Sequence, residues 1–421
     1  MRKIRIRNVV ALFVILVFCW GLDLSLVWGQ EKVKIGALFP FSGPWARLGE
    51  DAFTGVEVAR ILKNEKGGIW GKQIEFVKGD AVDPKAAQTE AERLITVEKV
   101  QLIIGTYASA VSFPASAVAE KSGVVYWETG AVADKITKRG FKFLFRCLPN
   151  VSDPGYIDIP VKFFRDYAPK LGFKTSDLRV AIASENSLAG INMAEAMKKY
   201  VQEYGMKAVA YELYDKNITD LSSLILKLKN AKPDALLLQA FLNDAILFSR
   251  QSKELDFNIK MFSGVGSGHN MEDFIKAVGD AADGIATGGW PSVNMNPAYA
   301  KGLPDFLNAH RRLMKKEPQS AHTFGNYNGG WLLFNDVLPR AGSLDPENVR
   351  KAAVATDLPW GATPIGWGAK FDETGQIQRT TLFMNQWQKG KLVTIWPEQA
   401  TPAGVKVILP YPTWQERAGK K

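Results

Sequence analysis

Short apolar runs alternate along this chain with longer stretches of helical spacing. Val33–Phe39 (VKIGALF) is nearly continuous in apolar residues, which predicts a strand covered on both faces. A turn at Pro40-Phe41-Ser42-Gly43 follows. Leu48, Ala52, Val56, Ala59 and Leu62 then recur every three or four positions, which predicts a helix over 46–63 that Gly67-Gly68 stops. The couplet repeats. Residues 73–78 alternate as a strand, Asp83-Pro84 opens a helix to about 98, and 100–105 (VQLIIG) is a strand. A short helix at 112–121 and strands at 123–127 (GVVYW) and 141–146 close the first series. In the second series, strands at 178–184, 209–213, 235–239 and 259–263 each precede a helix, at 190–204, 221–230, 245–255 and 271–278.

Strands that alternate with helices imply parallel sheets with helices on both faces. Two successive runs of four or five such units predict an α/β protein of two doubly wound lobes. Sheets of this kind bind ligands beyond the carboxyl ends of their strands, where the strand order reverses. Residues 305–340 read as helical again. Residues 370–393 read as two strands around the turn signals Asp372-Glu373-Thr374-Gly375 and Lys389-Gly390. The length of 421 residues, 46% hydrophobic and 23% charged, fits two or three globular domains at about 150 residues each.

The first thirty residues follow another rule. Arg2, Lys3, Arg5 and Arg7 precede an apolar run over 9–20, and Val27 and Gly29 stand as small residues before Gln30. This predicts a cleaved secretory signal peptide over 1–29 and a periplasmic protein; the apolar run is too short to span a bilayer. Phe18 before Cys19 is too bulky for lipid attachment. The formal charge of +10 falls to +7 when the leader's four basic residues and one acid are removed, and what remains is spread along the chain. No basic stripe suits nucleic acid. Cys147 is then the sole cysteine, so no internal disulfide forms and a buried free thiol is expected.

Enzyme chemistry finds little support. Gly264-Val265-Gly266-Ser267-Gly268 follows a strand as a phosphate loop would, but His269 takes the next glycine position, and the cluster reads as a loop lining a cleft or hinge. No Gly-x-Ser-x-Gly elbow occurs. His269, His310 and His322 lack metal-ligand spacing, and Asp372-Glu373 sits in a turn. The chain is expected to be no enzyme and to hold neither cofactor nor metal.

The order of these segments resembles the branched-chain amino-acid-binding family of periplasmic proteins, the leucine/isoleucine/valine-binding-like carriers. Phe41-Ser42-Gly43-Pro44 with Gly49, the glycine turn at 64–71 (NEKGGIWG) and Asp80 to Pro84 (DAVDP) carry the first part of the likeness. Ile104-Gly105 leading to Ser109 and then Pro114-Ala115-Ser116, the segment 137–146 (TKRGFKFLFR), and 361–375 ending in FDETG carry the rest. The resemblance covers about 33–393. It implies a type I periplasmic binding fold, two lobes joined by a three-crossing hinge. Lobe 1 would comprise 31–150 plus 284–360, lobe 2 would comprise 151–283 plus 361–400, and 401–421 would form a C-terminal tail. It further implies the solute-binding component of an ABC importer, a monomer that meets membrane subunits and closes on a small solute. The alternatives are a ligand-sensing domain for a signalling partner, since fold does not fix function, and a nucleotide-dependent enzyme.

The resemblance also nominates site residues. Ser109 matches a serine that binds the ligand carboxylate at a helix entrance, with simple helix capping as its other reading. Gly130 matches a backbone-contact position. Val132 stands where a threonine holds the ligand, Ala189 where a tyrosine lines the cleft, and Val265 where a glutamate pairs with the ligand ammonium. Phe241 replaces a tyrosine, and His322 falls at an aromatic cleft position. A buried ammonium needs a charge partner, so these departures argue against a simple α-amino acid. Glu128 would restore the charge or stand solvated at a strand end. Trp45, Tyr107, Trp127 and Phe241 are cleft-lining candidates, with ordinary core as the alternative for each. The expected solute is amino-acid-like or a small carboxylate, partly apolar and possible in aromatic form.

Overall fold

The computed structural model describes residues 31–152, 154–215, 217–266 and 268–418. The expected leader, 1–29, lies outside the described residues. The first sheet holds β1 (Val33–Phe39), β2 (Ile74–Asp80), β3 (Leu102–Gly105), β4 (Val125–Glu128) and β5 (Leu144–Arg146), all parallel, in the order β2-β1-β3-β4-β5. Helices α1 (Ala46–Glu65), α2 (Pro84–Thr96) and α3 (Ser109–Lys121) join them. Local chemistry sets the starts: Asp83 accepts from Ala86 N at 2.8 Å while Pro84 occupies the first turn of α2.

A first crossing leads from β5 to α4 (Asp158–Tyr167), which packs on the second sheet. There β6 (Arg179–Glu185), α5 (Leu188–Glu203), β7 (Lys207–Tyr214), α6 (Ser222–Asn230) and β8 (Ala235–Ala240) continue the alternation. α7 (Leu242–Glu254), β9 (Met261–Gly266), α8 (Glu272–Val278) and β10 (Ala286–Gly289) complete the parallel part. The chain crosses back to α9 (Leu303–Met314) and α10 (Ala321–Leu332), which pack on α1 in the first lobe. Gly55 of α1 permits that approach: a Cβ there would stand 2.2 Å from Thr323 O and 2.7 Å from Tyr327 N. After α11 (Pro346–Val354), a three-stranded sheet of β11 (Asp357–Leu358), β12 (Ala369–Phe371) and β13 (Ile377–Gln378) lies beside β5. A third crossing returns to β14 (Phe383–Gln388) and β15 (Lys391–Trp396), antiparallel strands that give the second sheet the order β15-β14-β10-β9-β8-β6-β7.

Sheet membership corrects two boundaries. β10 pairs with β9 and β14, so the chain leaves the second lobe after Gly289 and not at 284. The segment expected in lobe 2 from 361 stays with lobe 1 through Gln378, because Arg146 N donates to Gly375 O at 2.8 Å and Arg146 Nε donates to Gln376 Oε1 at 2.7 Å. The two strands expected over 370–393 are four, divided between the lobes. The tail folds along the second lobe: Tyr411 N donates to Lys260 O at 2.7 Å and Trp414 Nε1 to Phe257 O at 3.0 Å, and α12 (Trp414–Ala418) ends it. Among the described residues no helix is long and apolar enough to cross a membrane.

Candidate ligand-binding site

The strand order reverses between β1 and β3 in the first sheet and between β6 and β8 in the second. The carboxyl ends of these strands face one another across a cavity partly open to solvent, the location that doubly wound sheets favour for ligands. From the first lobe, Trp45 follows β1, Tyr107 and Ser109 follow β3, and Gly130 and Val132 follow β4. From the second, Ser187 follows β6, Ala189 and Met193 ride on α5, Gln239 lies at the end of β8 with Phe241 just after it, and Gly266 ends β9. Tyr156 and Trp290 enter from crossing segments, and His322 from α10.

The structure thus brings together Trp45, Tyr107, Ser109, Gly130, Phe241 and His322. Ser109 is the first residue of α3 and not its cap, which is Ala108. Its Oγ instead accepts from Val132 N at 3.2 Å and Ala133 N at 3.1 Å, tying the loop after β4 to the start of α3. Among the described residues its hydroxyl donates to no protein acceptor, leaving that proton for a ligand. Gly130 is required by packing, since a Cβ would stand 2.7 Å from Thr106 O and 2.8 Å from Tyr107 Cα. His322 packs edge-on to Tyr107 at 5.5 Å and to Trp290 at 6.2 Å. Among the described residues its Nε2 is buried without a partner, and burial pushes its pKa down to about 3, so the imidazole is neutral near pH 7.

Three expected positions fall elsewhere. Glu128 is fully buried behind the cavity, neither solvated nor a cleft residue. Its Oε1 accepts from Thr106 N at 2.9 Å and from Gly130 N and Ala131 N at 2.7 Å, and its Oε2 accepts from Thr106 Oγ1 at 3.1 Å and from Ser112 Oγ. Burial pushes its pKa up against those hydrogen bonds. Val265 sits inside β9 between Gln239 and Gly288 and is buried in the sheet; its neighbour Gly266 reaches the cavity. Trp127 belongs to the core, 5.3 Å from Phe371, with Nε1 donating to Gly329 O at 3.1 Å.

Sequence reasoning missed Tyr156, Ser187, Met193, Gln239 and Trp290 as lining residues, whereas Gly266 lies in the glycine cluster expected to line a cleft or hinge. Gln239 carried a signal, as the polar end of an otherwise apolar strand (ALLLQ). Trp290 follows β10, a strand that was not expected, and so had no frame to be placed in. The electrostatics of the cavity are distinctive. No Asp, Glu, Lys or Arg occurs among the described lining residues, and the amino terminus of α3 opens beside Ser109. No His/Cys/Asp/Glu group among the described residues could hold a metal.

Two α/β lobes, three crossings and a cavity between strand ends are the architecture of the periplasmic binding proteins. The profile of that family, the periplasmic binding proteins, matches residues 32–391, and the chain belongs to it. Leu/Ile/Val-binding protein homolog 7 of Brucella suis is 36% identical over 379 residues, covering 90% of this chain and 94% of the relative. Homolog 8 of Brucella abortus is 35% identical over 375 residues, covering 89% and 93%. Among solved structures, the leucine-binding protein LivK of Thermotoga maritima has a TM-score of 0.74 at 22% identity, covering 88% of this chain and 99% of that one. LivJ of Streptococcus pneumoniae, in complex with isoleucine, has a TM-score of 0.72 at 25% identity over 86% and 98%. A solute-binding protein from R. palustris in complex with 4-hydroxybenzoate has a TM-score of 0.74 at 20% identity over 91% and 99%. The family is one of solute-binding proteins that act outside the cytoplasm.

Proposed function

We propose that this protein captures a small organic carboxylate with a flat apolar body, in preference to a free α-amino acid, and hands it to the membrane subunits of an ABC importer. The observation that carries this reading is the uncharged lining of the cavity. An α-amino acid would bring an ammonium group, and burying it without an anionic partner costs several kcal/mol. A carboxylate meets the opposite situation. The Ser109 hydroxyl and the amino terminus of α3 supply donors and a positive dipole end, together worth about 1 kcal/mol or more. Trp45, Tyr107, Trp290 and Phe241 offer faces and edges to a planar body. A related fold, the R. palustris protein, holds an aromatic acid of this kind. In this reading the protein works as a periplasmic monomer after loss of its leader. Contacts made by both lobes at once favour the closed state, and the importer reads that state.

The test is a thermal-shift and calorimetric screen of the mature chain against benzoates, phenylacetate, aliphatic carboxylates, leucine and isoleucine. Solute at a hundred times its Kd should stabilise the fold by about 2.7 kcal/mol. Tight binding of leucine or isoleucine with silence from every simple carboxylate would overturn the proposal.

A further inference from the structure

We propose that Gln239 reads a hydrogen-bond acceptor on the far end of the solute and makes closure of the lobes conditional on it. The proposal rests on the cavity being the solute site, and it names a chemical requirement the family likeness does not supply. Gln239 ends β8 in the second lobe, across the cavity from Ser109. Its Oε1 is anchored: Ser184 Oγ donates to it at 2.8 Å and Glu185 N at 3.1 Å. A backbone N–H can only donate, so the oxygen must be the atom at that position. The Nε2 group is thereby aimed the other way. A Cβ at Gly266, itself a lining residue, would stand 3.6 Å from Nε2, which places the amide nitrogen at the cavity wall.

Among the described residues Nε2 makes no hydrogen bond, although Gln239 is only 1% exposed. Buried amide donors are normally satisfied, and a donor held rigidly without a protein partner at a cavity wall asks for one from the ligand. Ser187, also in the lining, is already committed: its Oγ donates to Glu185 Oε1 at 2.6 Å and accepts from Gly190 N at 3.2 Å. Gln239 is therefore left to recognise polarity from the end of the second sheet, beside the Tyr156 phenol on the crossing segment. A solute held at its carboxylate by the first lobe gains this bond only when the second lobe arrives. An acceptor at the far end (a ketone, amide carbonyl, ether or hydroxyl oxygen) then adds free energy to the closed state alone.

The experiment compares isosteric pairs on the mature chain: 4-acetylbenzoate against 4-isopropylbenzoate, and 5-oxohexanoate against 5-methylhexanoate. Kd is read by calorimetry and compaction by small-angle X-ray scattering, for wild type, Gln239→Leu and Gln239→Glu. Gln239→Glu keeps an anchored oxygen and removes the donor, so it decides alone if Gln239→Leu fails to fold. The expected result is a preference of about tenfold for the acceptor member of a pair in wild type. Compaction should be larger with that member, and the preference should fall below about threefold in either variant. Equal affinity and compaction across each pair in wild type, or an unchanged preference in the variants, overturns the proposal. If leucine binds and no carboxylate does, the carboxylate reading falls and Gln239 is judged on leucine. Leucine is then paired with asparagine, near-isosteric and bearing an amide oxygen at that end: a preference for asparagine that Gln239→Glu abolishes supports the role, and no preference for asparagine in wild type overturns it.

Discussion

Glu128 holds the two loops that form the first-lobe wall of the cavity. One carboxylate oxygen gathers the N–H groups of Thr106, Gly130 and Ala131, and the other gathers the hydroxyls of Thr106 and Ser112. The loop after β3 is thus tied to the loop after β4, and Ser109 ties them a second time through Val132 N and Ala133 N. The division of donors has a consequence. In Glu128→Gln the amide oxygen can still accept the three backbone N–H groups, while its NH2 donates to the two hydroxyls, which can turn to accept. That variant should fold, with solute affinity within about threefold of wild type. Glu128→Ala strands all five donors and should cost about 3–5 kcal/mol in denaturant unfolding, with a larger loss of affinity. Equal stability of Glu128→Ala and wild type would remove Glu128 from this role. The sequence places Glu128 at a strand end beside the site and stops there. Whether its carboxylate turns outward to solvent, forward to a ligand or back into the lobe depends on two loops returning to the same point, and no local pattern encodes that.

At the scale of elements, what the sequence reveals follows from how each strand is buried. β1, β3 and β8 are covered on both faces and read as continuous apolar runs, so periodicity finds them. β10 is Ala-Thr-Gly-Gly, because α4 lies close against it: a Cβ at Gly288 would stand 3.3 Å from Pro160. Close packing selected small residues there and erased the hydrophobic signature. β12 and β13 are short pieces held to β5 through Gln376 and Arg146, 230 residues apart, a pairing that no local pattern shows; the family resemblance had placed them in the other lobe. The tail is a similar case. Trp414 and Tyr411 are buried, and the Arg417 guanidinium lies 3.9 Å and 4.0 Å over their rings. These contacts meet β9 at its amino-terminal end, while Gly266 at the other end reaches the cavity, a separation of about 17 Å at the rise of an extended strand. Trp414→Ala should therefore lower unfolding stability by about 3 kcal/mol with solute affinity unchanged. A parallel loss of affinity would mean that the tail is coupled to the site through β9.

At the scale of the whole molecule, binding depends on how firmly the two lobes hold one another without a solute. Their polar contacts include a backbone bridge between Met271 and Ser320, where Glu272 N donates to Gln319 O at 3.2 Å. Arg47 at the start of α1 donates from Nε to Asp273 Oδ2 on α8 at 2.8 Å, and Asp134 N donates to Asn192 Oδ1 on α5 at 2.9 Å. The ion pair is one-third exposed on each side, which limits its worth to about 0.2–1 kcal/mol. Such a weak latch suits a carrier, because a strong one would close the lobes without solute and slow release to the importer. Asp273→Asn removes the cross-lobe charge pair without stranding its partners: Arg47 keeps Asp51 at 3.2 Å, and Lys276 keeps Glu272 at 3.4 Å. The variant should bind solute about 1.5- to 5-fold more weakly at low salt, with the change in the off-rate. At 1 M salt, where screening acts over about 3 Å, wild type should approach the variant. Stopped-flow binding at the two ionic strengths decides the point. A variant with wild-type off-rate at low salt would show that Arg47 and Asp273 meet at the lobe boundary without contributing to closure.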